Sequence, residues 1–167
     1  MLLSLRIKNY ALIESEEIEF GRGLNILTGE TGAGKSIILG ALALALGEKA
    51  NKEALRNEAD EALVEAIFSI DSDEMREKLA ELDVETYDDQ VILTRKISAT
   101  RAKAMINGES VPSQKLHMVG SLLLNIFGQH EHQTLLKKEK HMEIIDSFGG
   151  AELATLKEKV GECFERY

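Results

Sequence analysis

The sequence predicts an α/β fold wrapped around one phosphate-binding loop, and three observations carry that prediction. Leu3, Leu5 and Ile7, and further along Ala62, Val64, Ala66, Phe68 and Ile70, recur every second residue, the period of a half-buried strand. Met75, Leu79 and Leu82 recur at four and three, the period of a helix resting on a core. Between segments of the two kinds stands Gly29-Glu30-Thr31-Gly32-Ala33-Gly34-Lys35-Ser36, which fits the pattern G-x-x-x-x-G-K-[ST].

That pattern needs a strand before it and a helix after it. Leu24-Asn25-Ile26-Leu27-Thr28 is a short apolar strand candidate, and Ile37 to Leu46 reads as a helix stopped by Gly47. In such an arrangement the backbone N–H groups of the loop, from Gly29 through Glu30, Thr31, Gly32, Ala33 and Gly34 into Lys35, Ser36 and Ile37, converge with the positive end of a helix dipole on one point. A polyphosphate fits there, Lys35 reaching the β- and γ-phosphates and the Ser36 hydroxyl ligating Mg²⁺. Gly29, Gly32 and Gly34 keep every Cβ away from the phosphates. The pattern and its flanks together make a chance glycine-rich turn a poor account. They define a P-loop site for a nucleotide's phosphates and Mg²⁺.

The remaining elements follow in order. Leu3 to Ile7 is a strand, Asn9-Tyr10 a turn, and residues 12–20 a second strand. There Ile13 lies on one parity and Ile18 and Phe20 on the other, which a bulge near Ser15 to Glu17 would reconcile. Residues 48–60 are polar and predict a surface loop with one helical turn. Residues 61–70 are a strand, and Ser72 caps a helix over 73–82. Val91 to Ile97 is a strand leading to Ala102–Ile106, and Asn107-Gly108 turns the chain back through Glu109-Ser110-Val111. After Pro112, Ser113 is placed to cap a helix bearing Leu116, Val119 and Leu123, and Leu124 to Phe127 returns as a buried strand. A helix over 138–148 would turn Met142, Ile145 and Phe148 to the core. Beyond Gly149-Gly150, Leu153, Leu156, Val160, Cys163 and Tyr167 are spaced 3, 4, 3, 4. That rhythm suits the start of a coiled coil or an amphipathic helix capping the domain, and it is still running at the last residue.

Composition narrows the function. At 167 residues, 44% apolar and 29% charged, the chain reads as one globular, soluble domain with no membrane-spanning run and no signal peptide. Its single cysteine, Cys163, excludes an intrachain disulfide and fits a reducing cytoplasm. The net charge of −9 argues against a broad nucleic-acid surface. The charge is uneven, however: residues 51–90 carry 14 acids and 4 bases, while 91–141 carry 8 bases and 3 acids. Arg95, Lys96, Arg101 and Lys103 form either a basic edge for DNA phosphate or a solvated face. Four histidines, at 117, 130, 132 and 141, raise a zinc site, but His130-x-His132 lacks the i, i+4 spacing of helical ligands and no cysteine lies nearby.

A complete P-loop enzyme also needs an acid at the end of an apolar strand to hold the metal, and a way to orient water. The apolar run Leu122-Leu123-Leu124-Asn125-Ile126-Phe127 ends in Gly128-Gln129 instead of an acid, and no serine-glycine-glycine signature occurs. By sequence this is half of an ATPase.

The order of phosphate loop, Arg56 loop, Val91–Ile97 strand, Ile106-Asn107-Gly108 hairpin and Gly128-Gln129-His130-Glu131-His132-Gln133 resembles the RecN family of bacterial DNA-repair ATPases, over about residues 1–150. That family belongs to the structural-maintenance-of-chromosomes group, whose heads are ABC-type. The resemblance implies that residues 1–150 form the N-terminal lobe of such a head, a mixed sheet with an antiparallel portion, and that 151–167 begin a coiled-coil arm. It implies that the signature motif, metal-binding acid and catalytic glutamate come from a C-terminal half-head of the same protein. ATP would join two heads, in recombinational repair of DNA double-strand breaks, in the cytoplasm and at the nucleoid, with the fragment alone inactive. Gln129 takes the place of the Q-loop glutamine, at Mg²⁺ or the attacking water, unless it is a turn residue. Arg56 stands near nucleotide or DNA, or is a solvated arginine. Lys8, Asn9 and Tyr10 lie by the adenine or ribose. Two rival readings stay open: a self-sufficient small P-loop NTPase or kinase, and a scaffold or DNA-tethering module whose nucleotide is structural.

Overall fold

The computed structural model describes residues 1–29, 34–49, 55–56, 61–124, 126, 145–146 and 149–165. The chain divides into two units, Met1–Asn125 and Ile126–Tyr167.

The first unit is built on β1 (Leu2–Tyr10), β2 (Ile13–Glu19), β3 (Glu61–Ser69), β4 (Gln90–Ser98), β5 (Ala102–Ile106) and β6 (Glu109–Val111), in the spatial order β2-β1-β3-β4-β5-β6. Every pairing among these strands is antiparallel, so they supply the antiparallel portion of the expected sheet. Period-two patterning sets the faces. Register aligns Ile7 with Val64, Val64 with Arg95 and Arg95 with Ala104, and likewise Leu5 with Ala66, Ala66 with Leu93 and Leu93 with Ile106. Those rows form one buried face. Three helices supply its other buried partners: Ala41, Leu42, Leu44 and Ala45 of α1 (Lys35–Ala45), Leu79 of α2 (Asp73–Ala80), and Leu116 and Val119 of α3 (Ser113–Leu123). The opposite face carries charge pairs between strands, Arg6 with Glu17 at 3.3 Å and Glu65 at 3.6 Å, and Lys96 with Glu61 at 3.4 Å.

Local chemistry ends the elements. Ser72 caps α2 by accepting from the Met75 N–H at 3.2 Å. Asn107 and Gly108, at φ 50° and 84°, make the two-residue turn between β5 and β6. α1 closes in a Schellman arrangement, Gly47 donating to the Leu44 carbonyl and Glu48 to that of Ala43, both at 3.1 Å. Gly47 has φ +100°, and a Cβ there would stand 2.6 Å from the backbone of His117. Gly120 closes the same contact from α3, since a Cβ there would overlap the Leu46 carbonyl oxygen. The two glycines let the end of α1 and the flank of α3 meet backbone to backbone.

Several expectations need correction. Residues 24–28 form no strand: Leu24, Ile26 and Leu27 are 86%, 73% and 45% exposed, and the strands flanking the sheet are β2 and β6, so no described strand lies alongside to pair with them. β2 has no bulge, because its register with β1 runs unbroken from Ser4–Glu19 to Tyr10–Ile13; Ile18 sits opposite Leu5 and Ile13 opposite Tyr10, so each parity has its own apolar partner. The turn falls on Ala11-Leu12 rather than Asn9-Tyr10, since Asn9 bends within the strand at φ 52°. Ser113 does not cap α3: Pro112 occupies the N-cap without a side-chain hydrogen bond, and the Ser113 hydroxyl instead accepts from Arg95 at 2.8 Å. The strand expected at Leu124–Phe127 is not formed at Leu124 or Ile126, which are both partly exposed, with Leu124 ending α3 in an extended conformation. Asn125 and Phe127 lie outside the described residues.

The second unit contains α4 (Gly150–Glu165). Leu156, Val160 and Phe164 on it are exposed, and Lys157 pairs with Asp146 at 2.5 Å. Ile145, expected to face a core, is 69% exposed; the rest of the helix expected over 138–148 lies outside the described residues apart from Asp146.

Candidate nucleotide site

α1 is the element that positions the site. Its N-cap is Gly34, at φ 92° and ψ −9°, a left-handed conformation that costs an L residue roughly 1–2 kcal/mol and glycine nothing. Among the described residues no side chain caps this helix, and its first turn holds no acid. Its first N–H groups and the positive end of its dipole face the glycine loop. Lys35 opens the helix and reaches back across the loop, its Nζ donating to the Gly29 carbonyl. Ser36 is exposed beside it and Ile37 half-buried, so the serine hydroxyl is available while the isoleucine anchors the turn. Glu30, Thr31, Gly32 and Ala33 lie outside the described residues.

Asn9, Tyr10 and Arg56 come together at one corner. The Arg56 N–H donates to the Asn9 carbonyl at 3.0 Å, Leu55 bridges to Tyr10, and the Asn9 amide donates to the Glu61 carbonyl at 3.2 Å. That corner rests on α1, because a Cβ at Gly40 would meet the Tyr10 hydroxyl at 3.4 Å. Burial, helped by the charge of Glu48, raises the Tyr10 phenol above its ordinary value, so it stays a neutral donor. The Arg56 guanidinium holds Glu14 at 2.8 Å. With Glu14 79% exposed, the pair is worth at most about 1 kcal/mol, and an anion stronger than a solvated carboxylate would displace it.

Gln129 lies outside the described residues, as do His130, His132 and His141; His117 sits on α3 against Gly47. The four basic residues of the proposed edge do not share a face. Lys96 and Lys103 sit opposite each other on the charged side, whereas Arg95, one residue before, points with Val91, Leu93 and Ile97 into the buried side and is 4% exposed. That parity was readable in the sequence. Desolvation lowers the pKa of Arg95 from its ordinary value.

The donor set suits a nucleoside triphosphate with Mg²⁺: an uncapped helix start, one amine on the loop, and one exposed hydroxyl. A six-oxygen Mg²⁺ shell would take Ser36, phosphate and water. No cluster of three or more metal-ligating side chains occurs among the described residues.

A P-loop α/β domain of this form has a family, and the chain belongs to it: residues 4–165 match the family described as AAA domain. Along its whole length it is 38% identical to the DNA repair protein RecN of Bacillus subtilis, of which it spans 29%. In fold it is similar to the Smc head domain with an extended coiled coil bound to the C-terminal domain of ScpA, from Pyrococcus furiosus, at TM-score 0.68 and 20% identity over 99% of this chain and 46% of that one. A second structure, from work on ATP-driven dimerization and DNA-stimulated activation of SMC ATPases, matches at TM-score 0.63 and 18% identity, over 88% of this chain and 98% of that one.

Proposed function

We propose that this chain is the N-terminal half of an ABC-type ATPase head and binds Mg-ATP on behalf of a RecN-like protein of double-strand-break repair. The observation that carries the reading is the left-handed Gly34 at an uncapped, acid-free helix start, with Lys35 folded over the loop, in a chain 38% identical to a RecN protein. Residues 1–150 form the lobe and α4 begins the arm, its exposed Leu156 and Val160 forming a seam for a second helix.

In this reading the loop amides and Lys35 hold the β- and γ-phosphates. Ser36 ligates Mg²⁺, with Gln129 at the metal or the attacking water. Asn9 and Arg56 stand by the base, the sugar or DNA. Bound Mg²⁺ supplies charge neutralisation at the phosphates. In this reading the acid that orients water comes from the C-terminal half-head, so hydrolysis waits for it, and ATP then joins a second copy. DNA is engaged by the complete protein. Among the described residues no helix is long and apolar enough to cross a membrane.

The test is phosphate release by the chain with and without the C-terminal half, alongside calorimetry with Mg-ATP. The chain alone should bind nucleotide and turn over essentially none, and Lys35→Ala should abolish binding. Steady turnover by the chain alone, lost in Lys35→Ala, would establish a self-sufficient NTPase instead.

A further inference from the structure

At the end of α1 away from the glycine loop lies a hollow of about 420 Å³, floored by Arg95 and bordered by Ser113, Gln114 and His117 of α3 and by Glu48 and Lys49. With 11 residues in α1, it stands about 16 Å along the helix from the loop. It is a separate place on the molecule.

Arg95 is unusual there. It is 4% exposed, in a row of apolar side chains, and no carboxylate pairs with it among the described residues. One amine, Nη1, donates to the Ser113 hydroxyl at 2.8 Å, while the buried Nε has no partner. A guanidinium carries five donors in a planar fork matched to an oxyanion, and burial makes an unanswered donor costly. α3 adds a second set of donors. Pro112 at its N-cap offers no side-chain acceptor, and its first turn holds no acid. The N–H groups of Ser113, Gln114 and Lys115 precede the first helical bond, from Leu116 to the Pro112 carbonyl at 3.2 Å. Lys49 adds a positive charge on the rim, against which Glu48 is the one acid among the described residues that border the hollow. At the α1 terminus the Ala43 and Leu44 carbonyls are already met by Glu48 and Gly47.

We propose that this hollow binds a phosphate group, gripped from below by the Arg95 guanidinium and from the side by the first amides of α3. The group comes either from a small phosphorylated molecule or from a nucleic-acid backbone. The assignment is independent of the nucleotide reading, since it uses no residue of the loop.

The probe is sodium phosphate, titrated into the intact protein at constant ionic strength against sodium chloride, with the Ser113 and Gln114 amides followed by NMR. A Lys35→Ala background removes the contribution of the loop. Saturable shifts at these amides are expected, and Gln114→Glu should weaken them at least tenfold. Gln114 is exposed, and a carboxylate in a first helical turn favours the helix while repelling an anion, so this variant should fold. Arg95→Gln should do the same from the floor. Absence of saturation, or an unchanged response in Gln114→Glu, overturns the proposal. A short oligothymidylate then separates the sources: displacement of phosphate from these amides identifies a backbone phosphate, and failure to displace it identifies a small ligand.

Discussion

Gly47→Ala should loosen the end of α1 from α3, and its cost divides into two parts. The first is conformational: at φ +100° an alanine pays about 1–2 kcal/mol, less the ~0.4–1 kcal/mol returned because it restricts the unfolded chain. The second is steric. The new methyl would stand 2.6 Å from the Cα and N of His117 and 2.9 Å from its Cβ, atoms of a helix backbone that cannot turn aside as a side chain would. Overpacking of that kind costs about 1–3 kcal/mol. Together they give roughly 1–5 kcal/mol.

Two controls isolate the parts. Gly108 has φ +84° but nothing within 4 Å of its Cβ, so Gly108→Ala carries the conformational cost alone, about 1 kcal/mol. A Cβ at Gly120 would overlap the Leu46 carbonyl oxygen from within a helix, so Gly120→Ala carries the steric cost, offset by about 1 kcal/mol of helix propensity. Urea unfolding followed by circular dichroism would rank them Gly47 above both others. If Gly47→Ala cost no more than Gly108→Ala, the backbone-to-backbone contact between α1 and α3 would not exist as described. Because α1 carries Gly34 and Lys35 at its other end, the same variant should weaken nucleotide binding without touching a loop residue.

Asn107→Ala removes a side chain that accepts from the Ile92 N–H at 2.8 Å and donates to the Glu85 carbonyl at 2.7 Å, at a residue held at φ 50°. A loss of roughly 2–3 kcal/mol is expected in urea unfolding, and Asn107→Gly, which keeps the turn but not the bonds, should recover part of it. Glu74 is held below its ordinary value of 4.5 by its hydrogen bond to Lys78 at 2.6 Å, and then by that amine's charge. Its folded value being depressed, the pair stabilises the fold above pH 4.5 and is lost as pH falls through the lower folded value. Lys78→Met should therefore be less stable than the parent at pH 7 and equal to it near pH 2, with the Glu74 titration measured by NMR moving back up.

Sequence patterning exposed the sheet well where one residue's neighbours along the chain decide its side. β3 was readable because every second residue is apolar on one face, β4 because Val91, Leu93 and Ile97 share a face that Arg95 alone interrupts, and Asn107-Gly108 because both positions demand positive φ. The hidden features depend on residues distant in the chain. Ser113 has the chemistry of a cap, yet its hydroxyl answers Arg95, 18 residues earlier. The turn into β4 uses Asp88 and Asp89 at φ 50° and 56°, a conformation that two aspartates do not announce as Asn-Gly does. Of the site, the motif exposed Gly34, Lys35 and Ser36, while the meeting of Asn9 with Arg56 at α1 depended on a bridge between Tyr10 and Leu55 that no local pattern encodes.

Leu24 to Thr28 shows the same limit in its sharpest form. A strand is a property of a pair, and apolar side chains supply only one member of it. Asn25 instead folds onto its own turn, accepting from the Gly21 N–H and donating to the Gly21 carbonyl, both at 2.9 Å. This leaves a run with three large apolar side chains exposed directly before the phosphate loop. Such a run is costly in water and natural as the buried strand of a larger sheet. Under the half-head proposal its partner belongs to the remainder of a protein of which this chain spans 29% in the Bacillus subtilis relative. The strand that aims the loop would then form only when the halves meet, so nucleotide affinity as well as turnover would rise on adding the C-terminal half. Calorimetry with Lys35→Ala as the blank would read that rise directly, and equal affinity with and without the second half would place the strand's order within this chain alone.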